Sequence, residues 1–442
     1  MKAVTRFLEC VGAGFLILAL ILLWFFRDGI LDSAILQGLA GAACLVGLTG
    51  LFARKLPSVL RVNLALTIIM LPLGAWGADI ALQALSGRSA LLPPQEARDT
   101  RSALQVVADL RRTRADIEIV PSVVPRSVYR FENDRFLSDL GPDGLIPLGG
   151  ISGALTVFCN ETGSWQQYTA DPHGFNNPGP WISGDVFIVG DSFTHGACLA
   201  DSETIIGRLR AAGLGIVNLG MSSNGPLHEL AGLREYLSAV KPKTVLWFYF
   251  EGNDITTDLP LDAKAPLMMR YLEEPGFSQG LMERQGEIDD RLRKWLAGKA
   301  DVPQFVVNPP VAALGRIRLL DVLLLRTVRN NLNLTFGPPS GAFALFERII
   351  AQARQEATAT GADFHLVYLP GKRRYANLLG RLSEDTTRDR TLAILSRNRV
   401  RVIDLVPVFD AQSDPKALFA GHYTKEGTAL VANHIASVLN RR

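Results

Sequence analysis

Three long apolar runs open the chain. Phe7 to Phe26 carries one charge, Glu9, near its start; Ile35 to Phe52 carries none; Val62 to Leu85 carries only Asp79, beside Trp76. Each is about as long as a helix must be to cross a bilayer core, and a tryptophan near one end suits the interface. The pattern predicts three transmembrane helices within residues 1–88, with buried helices of a soluble core as the alternative. A signal peptide would have a shorter apolar core and a small-residue cleavage site, and two further spans would not follow it. Lys2 and Arg6 precede the first run and Arg54, Lys55 and Arg61 separate the second from the third, whereas Arg27, Asp28 and Asp32 leave the first loop net negative. That bias predicts a cytoplasmic N-terminus. Three spans then carry the rest of the chain across, into the periplasm if the membrane is a bacterial inner membrane.

Residues 89–180 read as a linker and small accessory region. A polar, Arg-rich stretch with a Pro pair leads into a short helix and then turn-rich, strand-like sequence. It ends in Tyr168 to Trp181 (YTADPHGFNNPGPW), where Asp, His, Asn, Gly and Pro surround single aromatics as in an ordered loop. Its His173 reads as a structural loop histidine in preference to a functional one.

From 181 to 442 the pattern alternates. Asp185–Gly190, Ile216–Gly220, Thr244–Phe250, Phe364–Leu369 and Val400–Leu405 are short and almost unbroken in apolar character, as strands covered on both faces should be. Amphipathic stretches at Glu203–Ala212, Leu227–Val240, Ala342–Thr360, Tyr375–Arg397 and Lys425–Asn440 separate them. Repeated βα units predict a parallel sheet between two helical layers. The interval of about 255–341 is too long for one crossover and predicts a helical insertion. Its basic apolar stretch Arg316–Arg329 is either a segment near the membrane or substrate, or an ordinary core helix.

Composition narrows the partners. With 46 basic and 43 acidic residues the net charge is only +3, so no electrostatic footprint for nucleic acid exists. Of four cysteines, Cys10 and Cys44 lie in the predicted spans, leaving Cys159 and Cys198 as the pair in the exported part. They are either a disulfide, which an oxidising compartment allows, or two unrelated buried thiols. The six histidines show no paired-ligand spacing, so neither metal nor cofactor is expected.

Open α/β sheets carry their chemistry at the carboxyl ends of the strands. The first predicted strand ends in Gly190-Asp191-Ser192-Phe193-Thr194-His195-Gly196, a serine on a tight turn before a helix start. Such a turn suits a nucleophile, and equally a helix cap or phosphate cradle. The second runs into Asn218-Leu219-Gly220-Met221-Ser222-Ser223-Asn224-Gly225, and the third ends in Glu251-Gly252-Asn253-Asp254. Backbone N–H groups of these loops and the Asn253 amide can converge as an oxyanion hole. Gly421-His422-Tyr423 precedes the last helix. A serine, a histidine and convergent donors make an acyl-transfer site.

These four blocks, GDSFTHG, NLGMSSNG, EGND and GHYTKEG, resemble in order and spacing those of the SGNH/GDSL hydrolase superfamily over residues 181–442. The resemblance implies a flavodoxin-like three-layer sheet and transfer or hydrolysis of an ester-linked acyl group. Ser192 would be nucleophile and His422 base, with oxyanion donors from Ser192, Asn253 and either Gly220 or Ser223. The family's acid lies two or three residues before its histidine, where this chain has Ala420 and Phe419. Asp410 or Asp414 would then orient His422, or a backbone carbonyl would; Asp191 and Asp254 would support the loops. His195 would either touch substrate or cap its loop.

The membrane region, exported domain and DPHGFNNP segment together resemble membrane-anchored bacterial members linked to surface or exopolysaccharide acylation. That implies a serine esterase acting on O-acyl, chiefly O-acetyl, groups of a glycan. The alternatives are an acetyltransferase working with a membrane acyltransferase partner, a lipid esterase, and a non-catalytic scaffold of a polysaccharide assembly complex.

Overall fold

The computed structural model describes residues 1–25, 34–86, 99–179, 181, 184–299, 302, 325–332, 337–338 and 341–440. The chain divides into two compact units, one of residues 1–93, 311–340 and 373–390, the other of 94–310, 341–372 and 391–442. The first-loop charges Arg27, Asp28 and Asp32, most of the linker at 87–98, and residues 316–324 of the basic apolar stretch lie outside the described residues.

Among its described residues the first unit contains the long helices α1 (Lys2–Phe25), α2 (Ala34–Leu51) and α3 (Ser58–Ser86). Glycines let α1 and α2 approach closely: a Cβ on Gly50 would lie 2.5 Å from the Leu8 carbonyl oxygen and 2.7 Å from the Gly12 Cα. Small residues play this part wherever apolar helices pack backbone to backbone. Glu9 pairs with Arg54 at 2.6 Å, and Arg61 donates to the Thr5 hydroxyl at 2.9 Å, so the isolated charge of the first apolar run has a partner. Among the described residues one helix, Ser58–Leu82, is long and apolar enough to cross a membrane. The helix Arg326–Asn331, the described end of the basic apolar stretch, packs on α3, where the Val328 N–H donates to the Asp79 carboxylate at 2.8 Å.

Among its described residues the second unit holds ten strands. β1 (Ile119–Pro121), β4 (Leu155–Val157) and β5 (Gln167–Thr169) form a small mixed sheet backed by the helix Ala103–Thr113. β2 (Tyr129–Glu132) and β3 (Arg135–Ser138) form a hairpin. Its turn residues Asn133 and Asp134 both take positive φ, 50° and 61°, as a tight two-residue hairpin turn requires.

The main sheet contains β6 (Val186–Val189), β7 (Ile216–Asn218), β8 (Thr244–Phe250), β9 (Asp363–Leu369) and β10 (Arg401–Asp404), all parallel, in the order β7-β6-β8-β9-β10. This is the flavodoxin-like order, in which the chain reverses direction after the second strand. Right-handed crossovers then place helices on both faces. Accordingly Ile205–Ala211 packs with Lys425–Leu439, and Pro226–Val240 with Ala342–Ala359. Thr204 and Thr424 cap the first pair, accepting from the Gly207 and Gly427 N–H groups at 2.9 and 3.3 Å.

One hydrophobic core joins the accessory region to the sheet: Val123, Phe136 and Ile146 pack in the same cluster as Phe187, Tyr236 and Tyr249. The described part of the insertion joins it too, through Met268, Tyr271, Ile288 and Leu292 on the helices Pro266–Glu273 and Gln285–Ala297.

Candidate active site

The strand order reverses at β6, which pairs with β7 on one side and β8 on the other, and Ser192 stands just beyond the carboxyl end of β6. Gly190 makes the turn possible, since a Cβ there would fall 2.1 Å from the Thr194 hydroxyl. Asp191 caps the short helix Ser192–His195, its Oδ1 accepting from the Phe193 N–H at 3.0 Å. The Ser192 Oγ lies 2.8 Å from His422 Nε2, and His422 Nδ1 lies 2.8 Å from Glu161 Oε2. A carboxylate accepts from Nδ1–H, which leaves the Nε2 lone pair to take the serine proton. Phe193 stacks edge-on against the imidazole, ring centres 4.9 Å apart.

Glu161 corrects the expectation that Asp410 or Asp414 would orient the base. Both aspartates are exposed, and the Nδ1 edge faces Glu161. Phe419, at one of the positions where the family keeps its acid, is buried against Phe409 and Tyr423. An ionised carboxylate there would be stranded in an aromatic cluster. Ala420 closes the tight turn, its N–H donating to the His422 carbonyl at 2.7 Å. Gly421 leaves room for the replacement: a Cβ on it would lie 2.3 Å from Glu161 Oε2.

The segment bearing Glu161 is held by several contacts. Cys159 and Cys198 form a disulfide, Cα atoms 5.3 Å apart, between this segment and the nucleophile loop. The Thr162 hydroxyl donates to the Cys198 carbonyl at 3.1 Å, and the Asn160 amide to the Asp99 carbonyl at 2.7 Å. The cysteine pair was the signal that could have found the acid: once bridged, it brings Glu161, two residues along, to the serine loop.

Two backbone donors and one side-chain donor on these loops are left without a firm acceptor. Among the described residues neither the Ser192 nor the Ser223 N–H has an acceptor. Ser223 takes φ 67°, a left-handed conformation that presents the N–H at the cost of some backbone strain. The Asn253 amide sits 3.5 Å from Asp191 Oδ2, too long to bind its hydrogens firmly. Gly220 is the exception to the expected donors. Its N–H is committed to Asn218 Oδ1 at 2.9 Å, and its lack of a side chain is what matters, because a Cβ would lie 2.5 Å from the Thr194 Cβ.

The other polar residues brace these loops. Asp171 of the DPHGFNNP segment accepts from the His173 and Phe175 N–H groups at 2.8 and 3.0 Å, and from Asn177 and Trp181 at 2.6 Å each. Asn177 in turn exchanges two 2.9 Å bonds with the Asn218 backbone, and Asn176 donates to the His195 carbonyl at 3.1 Å. His173 stacks on Trp181 at 4.4 Å, and burial lowers its basicity. His195 is wholly buried, so it braces its loop and reaches no substrate. Its Nδ1 accepts from the Ser222 N–H at 3.1 Å, its Nε2 faces the Tyr168 hydroxyl at 3.0 Å, and burial lowers its pKa to about 3.

Beneath the second loop lies a buried charged network. Arg126 binds Asp258 and, at 2.5 Å, Asp262. Asp262 accepts from the Leu227 N–H at 3.2 Å and contacts His228 at 2.8 Å. Burial pushes Asp258 up to about 7. Burial also raises Asp191, and it carries Glu229 and Asp254 well above the carboxylate range. Asp254 still accepts from the Phe250 N–H at 2.9 Å and so fixes the strand end before Asn253. Both Glu229 oxygens lack a partner.

One group of potential metal ligands stands out among the described residues: ligand atoms of Glu161, Cys198 and His422 all lie within 4.8 Å of one another. In the disulfide form the Cys198 sulfur is committed to Cys159, and both imidazole nitrogens are hydrogen-bonded.

No family model matches the chain, and no curated protein does. Among solved structures it is similar to a member of the lipolytic G-D-S-L family from Veillonella parvula, at 12% identity and a TM-score of 0.32 over 58% of this chain and 98% of that one. It is similar also to the lipase/acylhydrolase from Enterococcus faecalis (14%, 0.33, 58% and 96%) and to a psychrotrophic esterase from Pseudoalteromonas (11%, 0.29, 58% and 97%). At these scores the site's own geometry carries the functional argument.

Proposed function

We propose that the chain is a serine ester hydrolase that works through Ser192, His422 and Glu161. The observation that carries this is the continuous Ser192–His422–Glu161 relay, with 2.8 Å at each step. His422 takes the Ser192 proton as Oγ attacks an ester carbonyl, the Ser192 and Ser223 N–H groups and the Asn253 amide hold the oxyanion, and Glu161 stabilises the imidazolium. The proton then passes to the departing alcohol, and water resolves the acyl-enzyme.

The finer reading is a membrane-anchored, extracytoplasmic enzyme acting on short O-acyl groups of a cell-surface or exopolysaccharide. The disulfide suits an oxidising compartment such as the periplasm. The helix Ser58–Leu82 suits a membrane anchor, and α1 and α2 are read as the other two spans on their apolar sequences. Acetyl transfer with a membrane acyltransferase would use the same acyl-enzyme with a sugar hydroxyl in place of water.

The test is intact-mass spectrometry of the detergent-solubilised chain after exposure to a fluorophosphonate, alongside Ser192→Ala. One adduct on the wild type and none on the variant is expected, followed by acetate release from an O-acetylated polysaccharide in preference to cleavage of long-chain esters. No adduct on either protein would leave the scaffold reading ahead.

A further inference from the structure

We propose that reduction of the Cys159–Cys198 disulfide turns the acid–base pair of the active site into a zinc site, formed by both cysteine sulfurs, the Glu161 carboxylate and His422 Nδ1, that switches the base off. The coordinating part stands on geometry alone; the inhibition rests on the hydrolase reading above.

Three of the four donors are already assembled. Ligand atoms of Glu161, Cys198 and His422 lie within 4.8 Å of one another, and the Cys159 sulfur is bonded to that of Cys198. Zinc binds thiolate at about 2.3 Å and imidazole or carboxylate at about 2.0–2.2 Å in a tetrahedron, so its ligands sit roughly 3–4 Å apart. Binding an ion draws these three donors somewhat closer and moves the Cys159 sulfur off that of Cys198 to complete the tetrahedron. Two thiolates, an imidazole and a carboxylate form a donor set that zinc accepts readily.

The backbone contacts that would keep these donors in place do not depend on the bridge. Thr162 holds the Cys198 carbonyl and Asn160 holds the Asp99 carbonyl. Phe158, Tyr168, Ala170 and Ala197 pack around both cysteines. The Glu161 side chain is 30% exposed, which gives an ion a way in.

The chemistry balances with a phosphine as reductant. Phosphine, water and the disulfide give phosphine oxide and two thiols, and zinc binding then releases the two thiol protons. The consequence for catalysis follows from the tautomer. In the oxidised enzyme Nδ1 carries the proton and the Nε2 lone pair faces Ser192. Zinc on Nδ1 requires the proton on Nε2, and that nitrogen can no longer accept from the serine.

The experiment uses the full chain in detergent, oxidised or reduced with a phosphine and desalted without air, then titrated with Co²⁺ and Zn²⁺. The reduced chain is expected to bind one ion, with a thiolate-to-cobalt charge-transfer band that zinc abolishes, while the oxidised chain shows neither. Glu161→Gln and His422→Ala, which keep both cysteines, should each weaken cobalt binding at least about tenfold. Zinc should block fluorophosphonate labelling of the reduced wild type, and a chelator should restore it. A disulfide that resists the phosphine in the folded chain, loss of the fold on reduction, or a cobalt site indifferent to both variants would overturn the proposal. Labelling that survives stoichiometric zinc would overturn its inhibitory part. If the oxidised chain takes no label while the cobalt site forms, the hydrolase reading fails and the metal site stands.

Discussion

In the proposed mechanism Glu161 acts through His422, and its neighbourhood allows that role to be separated from folding. It is partly exposed and its contact with the imidazole is a single 2.8 Å bond, so Glu161→Gln should leave the fold intact. An amide oxygen at that place cannot hold the imidazolium as a carboxylate does, and kcat should fall by about 10²–10⁴-fold with little change in KM. Gly421 offers a second way to the same end. A Cβ there would meet Glu161 Oε2 at 2.3 Å, and the flexible end of the glutamate would swing away rather than the backbone. Gly421→Ala should therefore reduce kcat while the thermal midpoint stays within a few degrees of wild type, and adding it to Glu161→Gln should cost little more. Steady-state kinetics on a short-chain ester would check both; additive losses in the double variant would show that the two residues act independently.

At the scale of elements, the DPHGFNNP segment works as a clamp between the accessory region and the sheet. Asp171 gathers four donors, and Asn177 carries the hold to the end of β7. Asp171→Ala would leave those buried donors without an acceptor, at about 1–3 kcal/mol each before relaxation, so a loss of about 3–5 kcal/mol in unfolding free energy is expected in thermal melts. A loss below about 1 kcal/mol would remove the segment from this role. The sequence shows why some of this could be read in advance. The five buried strands are continuous apolar runs, and each observed strand falls within about a residue or two of its run, because burial on both faces leaves no room for polar interruption. The meeting of Ser192 with His422 was legible because strand ends put local chemistry in fixed places. Glu161 was not, since it lies 31 residues before Ser192 in the chain and only a long-range bridge brings it there. Spacing leaves Gly220 and Ser223 as alternative donors because it cannot tell a free N–H from one already given to Asn218.

The whole molecule's stability should carry a pH signature from the buried carboxyls beneath the second loop. In the unfolded chain they titrate near 4. In the fold, burial holds Asp258 to about 7 and keeps Glu229 and Asp254 protonated well above their ordinary range. As pH rises from about 4 towards 7, the unfolded chain loses these protons first, so each group's contribution is full at the acid end and is lost through its folded pKa. His195 runs the other way. Held neutral down to about 3, it favours the fold above about 6.5 and withdraws that support as pH falls. The two trends oppose each other in the wild type, so its raw curve is a poor test, whereas a difference between two proteins isolates one group. Glu229 is the group to choose, because both its oxygens are buried without a partner and its replacement breaks no hydrogen bond of the side chain. Glu229→Gln should match or fall slightly below wild type near pH 5 and gain on it steadily towards pH 8, by up to about 1.4 kcal/mol per pH unit where the folded glutamate stays protonated. Thermal or denaturant unfolding of both proteins across that range gives the answer. Parallel curves would mean that Glu229 ionises in the fold as freely as in water, and that the space beneath the oxyanion loop is far wetter than its packing implies.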